Sequence, residues 1–293
     1  MLKLILKELN ITISLVKKRC SIMKALKFTL EGKTGFFKRP DVNSNLYFTY
    51  GHIHKVALLG ILGAILGYGG YNQKNSKYKG QKSSKEESKL PEFYEKLKDL
   101  KVSIVPNNKN GVIGKKINIF NNSVGYASQE QGGNLIVKEQ WLENPSWEIY
   151  ILLDNEEAEK LSKAMINKNY VYMPYLGKND HMADILNCEI CECEESLEVN
   201  YIDSFFKKDT YKLSNKPKEN DFDDFIEFDE TSENNKEVTN EEPLYKYEEF
   251  LPLSLDEETS MYKTQSLVYT NSYLEKEKDS LIYKIKDKTI QFI

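Results

Sequence analysis

Val56 to Tyr71, VALLGILGAILGYGGY, is a run of sixteen residues without a charge, in a chain of 293 residues of which 29% are charged. Such a segment has to be covered on nearly every side. It falls short of the roughly twenty residues that cross a bilayer, and it carries five glycines. Leu58, Leu59, Leu62, Ile65 and Leu66 recur at helical spacing, which predicts a buried helix over 54–67. Gly67, Gly69 and Gly70 are its stop signal. The internal glycines predict close packing of this helix on a sheet. A re-entrant membrane segment is the alternative. No G-x-G-x-x-G follows a strand here and no phosphate-loop pattern occurs, so the glycines do not mark a nucleotide site.

The rest of the chain is organised around that run. Residues 1–22 look like an appendage, and Met23 reads as the biological start. Met23 opens an alternating strand over 24–31 that is apolar at even positions. Residues 33–55 form a polar-aromatic loop or hairpin, and 72–89 a Lys- and Ser-rich loop. A helix at 91–98 and strands at 100–105, 112–120, 134–140 and 147–153 follow. A second long helix runs to about Asn167, with Asp154 as its cap and Glu157 in the capping-box position. Strands are expected at 171–176 and 184–193, and again within 261–293. This order is compatible with a β-α-β-β-α-β ferredoxin-like unit. Residues 215–260 hold 16 acidic and 4 basic residues, which reads as a solvated insertion rather than core. The expected division is an extension over 1–22, a first domain over 23–170 and a β-rich region over 171–293.

Charge divides the chain as well. Residues 1–140 carry a net +14 and residues 141–293 a net −18, within an overall −4. A basic half that meets phosphate is one reading; a dipolar protein without a nucleic acid partner is the other. Four cysteines exclude a disulfide-built scaffold, and three histidines leave little for a histidine-rich metal centre. Cys188-x-x-Cys191-x-Cys193 lacks a diagnostic fourth ligand, although Cys20 or His181 is available. Cys191 and Cys193 alternate with glutamates as inward strand positions do, so they read as buried reduced thiols. Neither a metal nor a cofactor is expected. The N-terminus lacks an uninterrupted apolar stretch before a small-residue cleavage site, so the expected location is the cytoplasm.

One segment mixes cations, rings and amides: Thr34-Gly35-Phe36-Phe37-Lys38-Arg39-Pro40, continuing through Asn43, Asn45, Tyr47, Phe48, Tyr50, His52, His54 and Lys55. Single-stranded RNA needs this mix, with cations for phosphates, rings for bases and amides for base edges. A hairpin with half-buried aromatics and solvated lysines is the alternative. A second motif, Tyr172-Met173-Pro174-Tyr175-Leu176-Gly177-Lys178, reads on its own as a strand ending in a glycine turn.

Together these segments resemble a known family. Met23 to Tyr71, with its short first strand, FFKRP, SNLYFTY and LLGILGAILGY, is similar to the N-terminal signature of the Cas-five family. Tyr172 to Ile185, YMPYLGKNDHMADI, resembles that family's Y-L-G-K turn and the strand after it. The resemblance covers roughly 23–195 and looks nearest the type I-B branch of these CRISPR-associated proteins, within the RNA-binding RAMP superfamily. It implies an α+β fold: a ferredoxin-like (RRM-like) N-terminal domain with a protruding β-hairpin, plus a smaller β-rich C-terminal region. It implies a non-catalytic Cascade subunit in antiviral defence that binds the repeat-derived 5′ handle of crRNA. The implied partners are the backbone subunit and the large subunit, with target DNA met only inside the complex and no membrane. Phe37, Lys38, Arg39, Asn43, Asn45, Tyr47, His54, Lys55 and Lys178 are the expected RNA-binding residues: Lys38, Arg39, His54 and Lys55 for phosphates, Phe37 and Tyr47 for stacking. A type I-C-like endoribonuclease that cuts repeat RNA without metal is the competing reading, with Tyr47, His52, His54 and Lys55 as its cluster. A membrane-associated structural protein built on 56–71 is the third.

Overall fold

The structure is a computed structural model that describes residues 23–40, 46–71, 90–123, 125–126, 129–196, 199–214, 243–278 and 280–293. The 1–22 appendage, Asn43, Asn45, the 72–89 loop, Cys20 and 215–242 of the acidic stretch lie outside the described residues.

Strand β1 (Met23–Glu31) buries Leu26, Phe28 and Leu30 on one face, as its alternation requires. A two-residue strand β2 (Thr34–Gly35) and helix α1 (Lys55–Leu66) follow, then helix α2 (Glu92–Leu97) and β3 (Val102–Pro106). A hairpin comes next, β4 (Gly114–Asn121) with β5 (Ile136–Glu143), then β6 (Ser146–Leu152), helix α3 (Glu156–Ile166) and β7 (Asp184–Ser196). The remaining strands are β8 (Phe206–Lys207), β9 (Tyr211–Ser214), β10 (Lys246–Leu255), β11 (Tyr262–Thr270), β12 (Tyr273–Lys276), β13 (Ile282–Ile285) and β14 (Lys288–Gln291). The fold is therefore mixed α and β, with sheets dominant and three α-helices among the described residues.

The main sheet has the order β14-β13-β7-β1-β6-β3, with every neighbouring pair antiparallel. Leu26, Phe28, Trp147, Ile149 and Ile104 face one large core with α1, α2 and α3. The other face is covered too, because the sheet curls until its edges meet. The Ile293 N–H donates to Val102 O at 2.8 Å, and the 203–205 segment bonds to both edges, Asp203 N–H to Thr289 O and Phe205 N–H to Ile104 O. Inside lie Ala25, Tyr150, Cys191, Cys193, Tyr283 and Ile290. Cys191 and Cys193 are free and buried while Glu192 and Glu194 point out, as the alternation predicts. Burial pushes the Cys193 thiol up to about 11. Glu148 closes the rim between Lys27, at 3.0 Å, and Lys288.

Several local expectations are corrected. The α3 cap is Asn155, whose side chain accepts from the Ala158 N–H at 2.9 Å; Asp154 instead pairs with Lys101 at 2.7 Å. Residues 171–176 are bends with a single bridge, Tyr175 to Met182, not a strand. Lys246–Leu255, inside the stretch read as solvated, is a strand that buries Leu251 and Leu255 in the core shared with α1, since its second half, residues 250–255, carries no charge. The main sheet takes strands from both sides of residue 170, with β7 between β1 and β13. The close approach at Gly63 is to α2 rather than to a sheet: a Cβ there would sit 2.4 Å from Phe93 Cβ. At Gly60 the nearest atom is Phe93 Cε2 at 3.9 Å.

Two tests follow from this packing. Gly60→Ala is expected to raise stability by up to about 1 kcal/mol through helix propensity, whereas Gly63→Ala loses about 1–3 kcal/mol to overpacking, both read from urea midpoints. The second concerns acid. His52 accepts from Trp147 Nε1–H at 2.9 Å and contacts Gly111 O at 2.6 Å, and burial lowers its pKa to about 4. Burial lowers that of His54 to about 3. Both folded values lie below the unfolded value, so their contribution is present above pH 6.5 and is lost as pH falls toward 4. Each removes on the order of 2 kcal/mol between pH 7 and pH 5. His54→Asn keeps an N-cap acceptor and is expected to flatten that part of the profile in pH-dependent urea titrations.

Candidate nucleic-acid interface

The interface is built from the segment that precedes α1 and the loop that follows α3. Phe37 to Arg39 pairs with Phe48 to Tyr50: Lys38 and Thr49 form an antiparallel bridge, Arg39 N–H donates to Phe48 O at 2.9 Å, and Tyr50 N–H donates to Phe37 O at 2.8 Å. The returning strand docks on β5 through Tyr47 N–H to Lys138 O and Gln140 N–H to Tyr47 O, both 2.9 Å. On this ribbon Lys38 and Arg39 are exposed, and Lys38 Nζ lies 4.0 Å from the centre of the Tyr47 ring. Arg39 lies 5.8 Å from the ring of Tyr50.

The Y-L-G-K loop is tied to this ribbon by one backbone bond and braced by another within itself. Phe36 N–H donates to Leu176 O at 3.0 Å, and Leu176 N–H to His181 O at 2.7 Å. Gly177 adopts φ +91°, and a Cβ on it would stand 1.8 Å from Phe36 O. Only glycine allows that approach. The loop is held from its other end by α1, whose terminal carbonyls on Ala64 and Ile65 accept from Tyr172 N–H and Val171 N–H at 3.2 and 3.0 Å. Ile65 O thus finds a partner, Ala64 O gains a second one beside the Gly67 N–H, and Tyr172 is fixed beside the helix.

Between ribbon, loop and helix runs a cleft of about 1130 Å³. Its floor is one strip of α1, where Ala57, Gly60 and Ala64 supply little side chain. Its walls carry exposed rings: Tyr172 and Tyr175 from the loop, Tyr71 after the helix and Tyr262 from β11. Lys38 stands at the end nearest the ribbon. Burial pushes the Tyr71 hydroxyl up to about 12, and that of Tyr262 upward also, so both stay protonated donors.

Several expected contacts are placed differently. Phe37 is 3% exposed, packed edge-on against His54 and Trp147, and offers no free face for a base. His54 is 2% exposed, and its Nδ1 accepts from Ala57 N–H at the start of α1. Burial keeps it neutral, so it carries no charge to a phosphate. Lys55 turns inward, donates to Ile293 O at 3.0 Å, and is lowered to about 8 by burial and by Lys207. Lys178 is neutralised by Glu139 at 3.1 Å and Asp180 at 3.6 Å; Glu139, nearly buried, also accepts from Trp141 Nε1–H at 2.8 Å. Phe37 and His54 turn inward to cover the first turn of α1, while Lys178 is held by its carboxylate partners. Lys38, Arg39 and Tyr47 stay together at the surface. Tyr47, His52, His54 and Lys55 do not converge on one accessible point, since both histidines are inside. Sequence reasoning does not single out Tyr71, Tyr172, Tyr175 or Tyr262 as contacts; the first three flank glycine-rich or Y-L-G-K motifs, while nothing local marks Tyr262.

No family model matches the chain, and no curated protein matches it. Among solved structures, a chain described as a CRISPR RNA-guided surveillance complex is 11% identical, with a TM-score of 0.45 over 87% of this chain and 91% of that one. A CRISPR protein from Archaeoglobus fulgidus is 10% identical, with a TM-score of 0.42 over 92% and 98%. A Cas protein is 14% identical, with a TM-score of 0.34 over 60% and 82%. These similar structures are CRISPR-associated, but likeness at these TM-scores carries no weight for activity, and the functional reading rests on the residues. No helix among the described residues is long and apolar enough to cross a membrane.

The Gly177 approach yields one test. Gly177→Ala is expected to cost more than about 1 kcal/mol, because the loop must leave Phe36 to admit a Cβ. Hydrogen exchange over 172–183 should accelerate while the closed sheet stays protected.

Proposed function

We propose that this chain is a non-catalytic, RNA-binding subunit of a CRISPR Cascade complex that holds the repeat-derived 5′ handle of the guide RNA. The observation that carries this is the ribbon of residues 36–40 and 46–50, where Lys38 stands over the Tyr47 ring with Arg39 beside it, at the mouth of an aromatic cleft. A cation and a ring presented together meet the two chemical features of a single strand, phosphate and unstacked base. The Y-L-G-K loop is held against the same ribbon, so the two segments that carry the Cas-five resemblance are neighbours in space. The strands β1, β3, β6 and β7 with α1 and α3 follow one another as β-α-β-β-α-β, in the spatial order β7-β1-β6-β3, which supports the ferredoxin-like reading. Target sequence is then read by the guide through base pairing, and the protein holds backbone and shape. The backbone and large subunits are the proposed protein partners, with the cytoplasm as the place of action. The inward placement of His52 and His54 supports the non-catalytic reading over cleavage.

Labelled repeat-derived RNA titrated into the full chain at several salt concentrations tests this. Lys38→Ala with Arg39→Ala is expected to weaken binding at least tenfold. It should also reduce the slope of log K against log salt by about 0.7 for each phosphate the protein no longer neutralises. Unchanged affinity and slope would refute the proposal, and cleavage of the RNA without metal would refute its non-catalytic part.

A further inference from the structure

The ribbon accounts for phosphate binding but leaves the cleft over α1 unused. That cleft is large for a single side chain to fill; small-molecule pockets span about 300–1,000 Å³. Tyr172 and Tyr175 are 53% and 44% exposed, and Tyr71 49%, although each lines a concave surface where burial was available. Along α1 the cleft is lined by Ala57, Gly60 and Ala64, which leave it open, and by Val56 and Ile61. Its charged groups lie at the ribbon end, and one of the two lysines there is already neutralised by Glu139. Among the described residues no Asn or Gln side chain lines it, so little is offered to base edges.

We propose that this cleft stacks unpaired nucleobases of the bound RNA on the rings of Tyr172, Tyr175 and Tyr71, with Lys38 holding the adjoining phosphate. This rests on the RNA reading above and adds a second binding surface to it. Rings from separate elements converge on an apolar floor of α1, Ala57, Gly60, Ile61 and Ala64, which is how a stacking platform is built. Recognition there is by ring overlap, tolerant of base identity, because hydroxyls and π faces are the available chemistry. Both tyrosines of the loop depend on Gly177 and on the α1 carbonyls for their position, so the platform is set before RNA arrives.

The test uses the full chain and single-stranded repeat RNA carrying 2-aminopurine at successive positions near its 5′ end. Fluorescence at one or two positions should be quenched by wild-type protein and not by Tyr172→Ala or Tyr175→Ala. Each alanine variant should bind about 5- to 150-fold more weakly, the range measured for losing one stacked ring, with the salt slope unchanged. Tyr172→Phe, which keeps the ring, should bind within about twofold of wild type. Tyr172 and Tyr175 are half-exposed, and an unchanged urea midpoint confirms that the variants are folded. If the tyrosine variants bind and quench as wild type while the Lys38 and Arg39 variant fails, the cleft inference falls and the RNA reading stands. If wild-type protein shows no affinity for the RNA, both fall. If the tyrosine variants keep RNA but lose a co-purifying protein, the cleft is a protein-docking surface and the inference is again overturned.

Discussion

Helix α1 has no charged face to turn toward water, and the architecture answers that constraint. Its apolar residues are covered by the main sheet on one side, by Phe93 of α2 on another, and by α3 and β10 elsewhere. Its first turn is capped by a buried neutral histidine and its last carbonyls by the loop after α3. Fully burying one Leu or Ile side chain contributes about 1.5–3 kcal/mol, and α1 buries Leu58, Leu59, Ile61, Leu62 and Ile65. The strip that remains open includes Ala57, Gly60 and Ala64, where side chains are small. The cleft is thus what is left when an uncharged helix is covered wherever its bulk allows.

The same constraint shapes the electrostatics. Four basic or titratable groups near the site, His52, His54, Lys55 and Lys178, are taken up by burial or pairing, while Lys38 and Arg39 stay exposed on the ribbon. A strand of RNA meeting this surface finds cations at one edge and rings beyond them. The clamp between Leu176, Gly177 and Phe36 keeps edge and rings in register, and it tolerates no Cβ at Gly177.

Much of this is legible in the chain, and the failures have physical reasons. The period of β1, the limits of α1 and its stop at Gly67 can be read because each is decided by local pattern: Gly67 takes φ +80° at the helix end. The strands β4 and β5, though not their pairing, and the inward thiols of β7 are legible for the same reason. The Asn155 cap and the β10 strand are missed where neighbouring residues offer equal local signals, an Asp beside an Asn and an acidic run threaded with leucines. The closure of the main sheet through Ile293 is not legible, since two backbone bonds join it to Val102, from the far end of the chain. At the site, the ribbon segment is identified but the inward turn of Phe37, His54 and Lys55 is not, because type and spacing do not reveal which side of a ribbon meets a helix. Tyr262 is invisible for the converse reason: it reaches the cleft from β11, a strand remote in sequence from α1.

The central claim is that one surface, the ribbon of residues 36–40 and 46–50 with the 172–178 loop, receives single-stranded RNA. Photo-crosslinking of 4-thiouridine-labelled repeat RNA to the full chain, with the attached peptides mapped by mass spectrometry, tests it most directly. The account predicts attachment to peptides containing Lys38, Tyr47, Tyr172 and Tyr175, abolished when Lys38 and Arg39 are both alanine. Attachment confined to the acidic half beyond residue 200, or to none of these peptides despite measurable binding, would contradict it.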